Sequence, residues 1–402
     1  TVEAPPAEQT EGMSVIGSGL KFDLGDTSTL TMRIDGQWYD VSGWAKAHPG
    51  GALFIQLMNG RDATSVFYAL HSNGANGSDV AVRRLAKLPK VDAPKETFLP
   101  DAAAAKACTD FFELREKLEA DGWFEREWLQ EGWLIARTLA WYVGGQACAN
   151  QGWYVAAAAL IGIGMQQAGW LAHDYVHGRG EYCTRMRNFG ALTNGFSGDW
   201  WSNKHNMHHS FTNVDGCDDD IMSEPFMYLQ SPKETGRPDP NPLRRFQHLY
   251  GYPLYSVTFL LWRLDSVIYE LQKEKKDKGA LASLGLQYAW LFGCLPLSVA
   301  VSSVLLGGFL CGAIVSATHQ SEEIMDERGE YVDMQFRSTR EAECGPWWET
   351  MLWGGMDVQL VHHLFPTMPR YKLHKLRPLV QAFAEEKGLN FRISSTSDII
   401  KQ

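Results

Sequence analysis

Residues 280–318 contain no Asp, Glu, Lys or Arg. A run of that length is about right for two helices crossing a ~30 Å apolar slab, at about 20 residues per span. The competing reading, buried helices of a soluble protein, fits a run this long and this uncharged poorly. A second apolar region lies upstream. Residues 133–149 and 153–172 hold one charge between them, Arg137, and together have the length of a helical hairpin. Four membrane-spanning helices are expected. Residues 249–262 are apolar but shorter and lie between Arg245 and Arg263, which reads as a helix in the membrane interface.

The chain has 402 residues and a net charge of −10, so no basic footprint points to nucleic acid. Seven Cys occur, an odd number with wide spacing and no Cys-x-x-Cys pair. A disulfide framework is not expected, and a reducing, cytosol-facing setting fits better. The N-terminal stretch is polar, with Pro5 and Pro6. It lacks the positive start and apolar core of a secretory signal. Residues 1–28 read as a flexible leader and residues 29–90 as a small soluble domain. Within that domain, residues 30–39 alternate around the turn signal Asp35-Gly36, and short helices are expected over 52–59 and 63–71. Residues 91–130 read as a linker, rich in Pro, Lys, Ala and Asp up to residue 108, followed by an amphipathic helix from Phe111. Residues 131–395 form the membrane-embedded part.

Ten of the 12 His fall into clusters or matched positions. Imidazole is costly to bury without partners, so such grouping points to ligation. His48 opens His48-Pro49-Gly50-Gly51, a tight turn that presents one imidazole, and His71 follows 23 residues later. Two neutral imidazoles on opposite faces of a haem leave the iron no open position, so it moves electrons and does not bind oxygen. The other eight are His173 and His177, at i and i+4; His205, His208 and His209, at i, i+3 and i+4; His362 and His363, in the same spacing with Gln359 in first place; and His319. Each set lies on one helical face. Imidazole suits iron, copper and zinc alike, but eight rings are too many for one ion and suit two metals close together. The His-x-x-x-His of box one differs from a zinc-protease motif, because its second position is Asp174 and not Glu.

Residues 28–90 resemble cytochrome b5. The resemblance implies haem b ligated by His48 and His71, with Trp44, Phe54, Phe67 and Leu70 lining the haem pocket or the small core. The three histidine boxes resemble those of the membrane desaturase and hydroxylase superfamily, in which they hold a di-iron centre. The flanking Gly169-Trp170-Leu171-Ala172, Trp200-Trp201-Ser202-Asn203-Lys204 and Leu364-Phe365-Pro366 agree with it. Gln359 at the start of box three, together with the fused haem domain, resembles the front-end desaturases. The implied fold is mainly α: a four-helix membrane desaturase with a small α+β haem domain. Two departures stand out. Leu360 and Val361 replace the Val-Glu usual in box three, and Gly178 follows His177 where some relatives carry a second His.

The resemblance implies an enzyme that inserts a cis double bond into a polyunsaturated acyl chain, between an existing double bond and the carboxyl end. It uses O2 and electrons relayed through its own haem domain. The expected metal ligands are His173, His177, His205, His208, His209, His319, His362 and His363, with Gln359 beside them. Asp174, Asp215 and Glu322 are candidates for hydrogen bonds to the imidazoles. Expected partners are a fatty acyl lipid or acyl-CoA, the bilayer, and a reductase such as NADH–cytochrome b5 reductase, at the endoplasmic reticulum with haem and metals facing the cytosol. The boxes must share one membrane face, so an even number of crossings separates boxes two and three. Competing readings are a sphingoid-base desaturase, a fused-haem acyl hydroxylase, which more usually has His at position 359, and a haem electron-transfer protein with vestigial boxes, which an iron count would distinguish.

Overall fold

Asp35 and Gly36 both take positive φ, 51° and 77°, as a two-residue hairpin turn of the right twist requires. In the computed structural model, which describes residues 24, 27–71, 80–224, 226–236, 239 and 241–401, this turn joins β1 (Thr31–Ile34) to β2 (Gln37–Asp40). The leader expected over 1–28 lies outside the described residues, apart from Leu24, Thr27 and Ser28. A four-stranded sheet forms in the order β3-β1-β2-β4, where β3 is Arg61–Asp62 and β4 is Lys90–Val91. The expected short helices are present as Ala52–Leu57 and Thr64–Leu70.

The stretch read as a linker begins within this sheet, since Trp38 pairs with Val91 and Tyr39 with Lys90. The helix expected from Phe111 starts earlier, at Ala102, and runs to Ala120. Asp101 caps it by accepting from the Ala103 and Ala104 amides at 2.9 and 2.8 Å, which satisfies donors that a helix N-terminus leaves open. Its buried face carries Phe111, Arg115 and Leu118. There Phe111 meets Phe365, next to box three, at 5.2 Å between ring centroids.

The rest of the chain is mainly helical. Trp128–Asn150 and Tyr154–His177 form an antiparallel hairpin, against which Leu297–Ala317 packs. Small residues permit this closeness. A Cβ on Gly145 would stand 2.4 Å from Ile161 Cγ1, and one on Gly162 would stand 2.9 Å from Leu306 Cδ2. Among the described residues, two helices, Tyr154–His177 and Leu297–Ala317, are long and apolar enough to cross a membrane. The other two expected spans coincide with Trp128–Asn150, which carries Glu131 and Arg137, and with the shorter Lys278–Gly293.

The segment expected to lie in the interface is broken. Gln247–Leu254 contains Pro253, a 3₁₀ turn follows at Tyr255–Val257, and Thr258–Gln272 continues beyond the predicted end. This last helix buries a polar face. Asp265 accepts from Trp200 Nε1 at 3.0 Å, Ser266 Oγ from the Ser197 amide at 2.7 Å, and Glu270 from Ser197 Oγ at 2.6 Å. These bonds brace the N-terminus of the box-two helix. A parallel pair, β5 (Glu341–Glu343) and β6 (Ile393–Ser395), closes the C-terminal region.

Candidate metal centre

Box one occupies the last turns of Tyr154–His177, box two the last turns of Gly198–Ser210, and box three the short helix Gln359–Leu364. His319 lies in the turn after Leu297–Ala317. Each set presents its imidazoles from one helical face, and the fold brings all eight together. His173, His177, His205, His209 and His362 form one group, and His208, His319 and His363 another. Within each group the candidate ligand atoms lie within 4.8 Å of one another. All eight rings are buried. Gly178 ends box one where no side chain fits. A Cβ there would meet Cys183 Sγ at 2.4 Å and Arg126 Nη2 at 2.5 Å.

Nitrogen faces nitrogen in the larger group. His173 Nε2 is 2.7 Å from His205 Nε2, and His209 Nε2 is 3.1 Å from both His205 Nε2 and His362 Nε2. Both nitrogens of His177 and the Nδ1 atoms of His205 and His209 are buried without a hydrogen-bond partner among the described residues. Buried polar atoms are rarely left so, and a cation among the facing nitrogens would satisfy one nitrogen of each ring and relieve the close nitrogen–nitrogen contacts. Outside the spanning helices, burial and then neighbouring imidazoles hold His205, His209, His362 and His363 well below the usual histidine range. Burial, followed by His208, lowers His319 to about 4. Neutral imidazole is the ligating form. An all-nitrogen donor set suits iron, copper or zinc and not the hard cations.

The smaller group is oriented from outside. His208 Nδ1 is 2.9 Å from Asp218 Oδ2, His363 Nδ1 is 2.8 Å from Gln335 Oε1, and His319 Nδ1 is 3.0 Å from the Ser338 carbonyl. With each Nδ1–H donating, each Nε2 is left as the ligand atom. Burial works most strongly against a charge on His208, but the Asp218 and Asp220 carboxylates together outweigh it and raise that ring's pKa. The Gln359 amide closes the group, with Nε2 3.1 Å from His319 Nε2 and 3.2 Å from His363 Nε2.

Asp218, Gln335 and Ser338 were not anticipated. Of the acids that were, Asp174 accepts instead from Arg126 at 3.1 Å and from the Arg370 amide at 3.2 Å. Glu322 bonds Arg340 and Arg392, and the Asp215 amide donates to the Met325 carbonyl. Leu360 and Val361, the departures in box three, are fully buried in the apolar core.

Two cavities stand out among the described residues. One, of about 540 Å³, lies in the N-terminal domain and is lined by Trp44, Phe54, Phe67 and Leu70 between His48 and His71. The two imidazole centroids are 6.2 Å apart. His71 Nδ1 faces the Phe67 carbonyl at 2.8 Å and His48 Nδ1 the Gly51 carbonyl at 3.3 Å, so both Nε2 atoms are left to ligate. Burial, then Arg179 and His48, lowers His71 to about 3. A Cβ on Gly50 would come within 2.8 Å of His48 Cε1, so only glycine leaves this ring its place. An apolar slot with two opposed neutral imidazoles fits a haem. The second cavity, of about 650 Å³, runs from His173, His205 and His319 between Trp170, Trp201 and Phe259. It is within the size range of small-molecule sites.

Residues 151–395 match the family model described as fatty acid desaturase, and residues 21–117 match the cytochrome b5-like haem/steroid-binding domain. The chain is similar to the acyl-lipid 8-desaturase of Rebecca salina, at 29% identity over 100% of this chain and 95% of that protein. It is 30% identical to the Delta(6)-fatty-acid desaturase fat-3 of Caenorhabditis elegans, over 93% of this chain and 94% of that one. To the Delta(8)-fatty-acid desaturase of Euglena gracilis it is 30% identical, with 89% of each chain covered.

Proposed function

The chain belongs to the fatty acid desaturase family and carries a cytochrome b5-like domain at its N-terminal side, and from this we propose that it is a front-end fatty acyl desaturase. It forms a cis double bond in a polyunsaturated acyl chain, between an existing double bond and the carboxyl end, with O2 as co-substrate. The observation that carries this reading is the convergence of eight buried imidazoles in two groups beside an apolar cavity.

His48 and His71 hold haem b. The five-imidazole group and the three-imidazole group hold two iron ions, with Gln359 beside the second. The di-iron centre supplies the O2-dependent removal of hydrogen from an unactivated CH2, which no side-chain acid or base can perform. The protein's own part is positional. The tryptophans and Phe259 of the larger cavity hold the acyl chain beside the metals and exclude water. The Nδ1 partners of His208, His319 and His363 fix the donor atoms before metal or substrate arrives.

The domain division proposed is a leader over 1–28, the haem domain over 29–90, a connecting segment over 91–130 and the membrane domain over 131–395. Four helices, Trp128–Asn150, Tyr154–His177, Lys278–Gly293 and Leu297–Ala317, cross the bilayer as two hairpins. The lengths and apolarity of the second and fourth support this. The metals and haem face the cytosol at the endoplasmic reticulum, where NADH–cytochrome b5 reductase donates the electrons.

The test is expression in a yeast that lacks polyunsaturated lipids, fed polyenoic acids of several chain lengths, with lipid profiling by gas chromatography and mass spectrometry. A new double bond on the carboxyl side, absent with His208→Ala, is expected. No new fatty acid, with the protein present and haem bound, would overturn the reading.

A further inference from the structure

The haem cavity is not closed by its own domain alone. Arg179, Thr184, Ser202, Asn206 and Met207, from the segments around boxes one and two, complete its wall. One apolar core runs through both domains, from Leu30 and Leu57 to Phe211 and Leu364. The haem domain is therefore seated on the histidine face.

Two contacts cross this seam next to the ligands on both sides. Arg179 Nε donates to the Leu70 carbonyl at 2.8 Å, and its Nη2 donates to the same oxygen. Its Nη1 donates to the His177 carbonyl at 2.6 Å. Leu70 precedes His71, so one guanidinium joins the backbone beside a haem-side imidazole to the backbone of a box-one imidazole. Among the described residues Arg179 meets no carboxylate. A charged group that receives only carbonyl oxygens from two domains acts as a clasp, since such charge-assisted bonds exceed neutral ones in strength. On the other flank His48 stacks with Phe54 at 6.0 Å, and Phe54 meets Phe211 at 5.9 Å, two residues after box two.

We propose that Arg179 is a positioning residue that clasps the haem domain to box one, with the Phe54–Phe211 pair as the second contact, so that electrons pass to the metal centre within one chain. The inference rests on the function proposed above. Each passage oxidises the haem iron by one electron and reduces one iron of the metal centre by one. The reductase then restores the haem electron.

Arg179→Leu in the full-length holoprotein tests this, with Arg179→Lys and Phe211→Leu beside it. Hydrogen exchange over residues 64–71 reports the clasp, and stopped-flow reoxidation of the pre-reduced haem in air with acyl substrate reports the transfer. Arg179→Leu is expected to keep its haem spectrum and non-haem iron, to exchange faster over 64–71, and to reoxidise its haem about tenfold or more slowly, since small misplacements of reacting groups cost up to about a hundredfold. Arg179→Lys should recover part of the rate, and Phe211→Leu should slow it less than Arg179→Leu. Wild-type reoxidation in Arg179→Leu, or a rate that falls only in proportion to lost iron or haem, overturns the clasp. If Arg179→Leu does not accumulate, Arg179→Lys decides, because a wild-type rate and wild-type exchange there exclude a role for the guanidinium geometry. A wild-type chain that makes no product defeats the proposed function. One that does, with wild-type reoxidation in Arg179→Leu, defeats only the clasp.

Discussion

In the five-imidazole group the ring of His205 lies stacked on Trp201, at 4.8 Å and 18° between planes, and the rings of His177 and His209 lean on one another at 4.4 Å. In the three-imidazole group every ring has a named hydrogen-bond acceptor at its Nδ1. Packing aims the first set and hydrogen bonds aim the second. Four of the five in the larger group sit on two helices that pack together. In the smaller group His319 sits in a turn and His363 on a helix of six residues, while His208 shares the box-two helix, and all three meet an acceptor at Nδ1.

The strongest test is ligand removal. His363→Ala takes one of three imidazoles and His209→Ala one of five. His363→Ala is expected to lose all detectable product and to drop non-haem iron from about two to about one per chain, because a site left with two protein ligands no longer competes for metal. His209→Ala should keep both irons. Iron quantified by mass spectrometry against haem content checks this, and equal iron loss in the two variants would remove the distinction between the groups.

Hydrogen-bond support gives a smaller effect. Asp218→Asn is expected to weaken metal affinity by about 10–100-fold, the range for partners that orient a ligand. The loss should be confined to the iron of the smaller group and is read by chelator competition. Asp174→Asn is the matched control, since Asp174 lies beside His173 yet bonds Arg126. It should lower thermal stability and leave affinity unchanged. If Asp174→Asn loses as much iron as Asp218→Asn, orientation by Asp218 is not what holds the smaller group.

These partners also mark where sequence reasoning stopped. The grouping of the imidazoles was legible because spacing at i, i+3 and i+4 is local, and so was the pairing of His48 with His71 through its Pro-Gly-Gly turn. Asp218 is local too, only ten residues from His208, but it stands in the run Asp218-Asp219-Asp220, where nothing marks one acid above its neighbours. Gln335 and Ser338 lie far from any box and reach it only through the fold. Asp174 and Glu322 were reasonable candidates by proximity, yet nearby arginines took them, because a buried guanidinium needs a carboxylate more than a neutral imidazole does. The pairing that takes Val91, read as the first linker residue, into the sheet was hidden for a similar reason. β4 exists only by pairing with Trp38 and Tyr39, some fifty residues earlier, and a short Pro- and Lys-rich stretch carries no strand pattern of its own. The Arg179 contacts to Leu70 and His177 were equally invisible, since between boxes one and two it reads as one charge among several.

The mildest expected effect tests the packing side of the comparison. Trp201→Leu removes the ring stacked on His205 and leaves an apolar side chain of smaller area. An offset-stacked aromatic pair is worth about 0.5–1.5 kcal/mol beyond its buried area, so the metal affinity of the larger group should fall by about two- to tenfold. The smaller group should be unaffected, because none of its three Nδ1 acceptors involves Trp201. Trp201 also lines the larger cavity, so product yield alone cannot separate a loosened ligand from a reshaped cavity. Chelator competition without acyl substrate can separate them. A Trp201→Leu protein that releases its iron as slowly as wild type, yet makes less product, would assign Trp201 to substrate fit. Packing among the imidazoles themselves would then account for the order of the larger group.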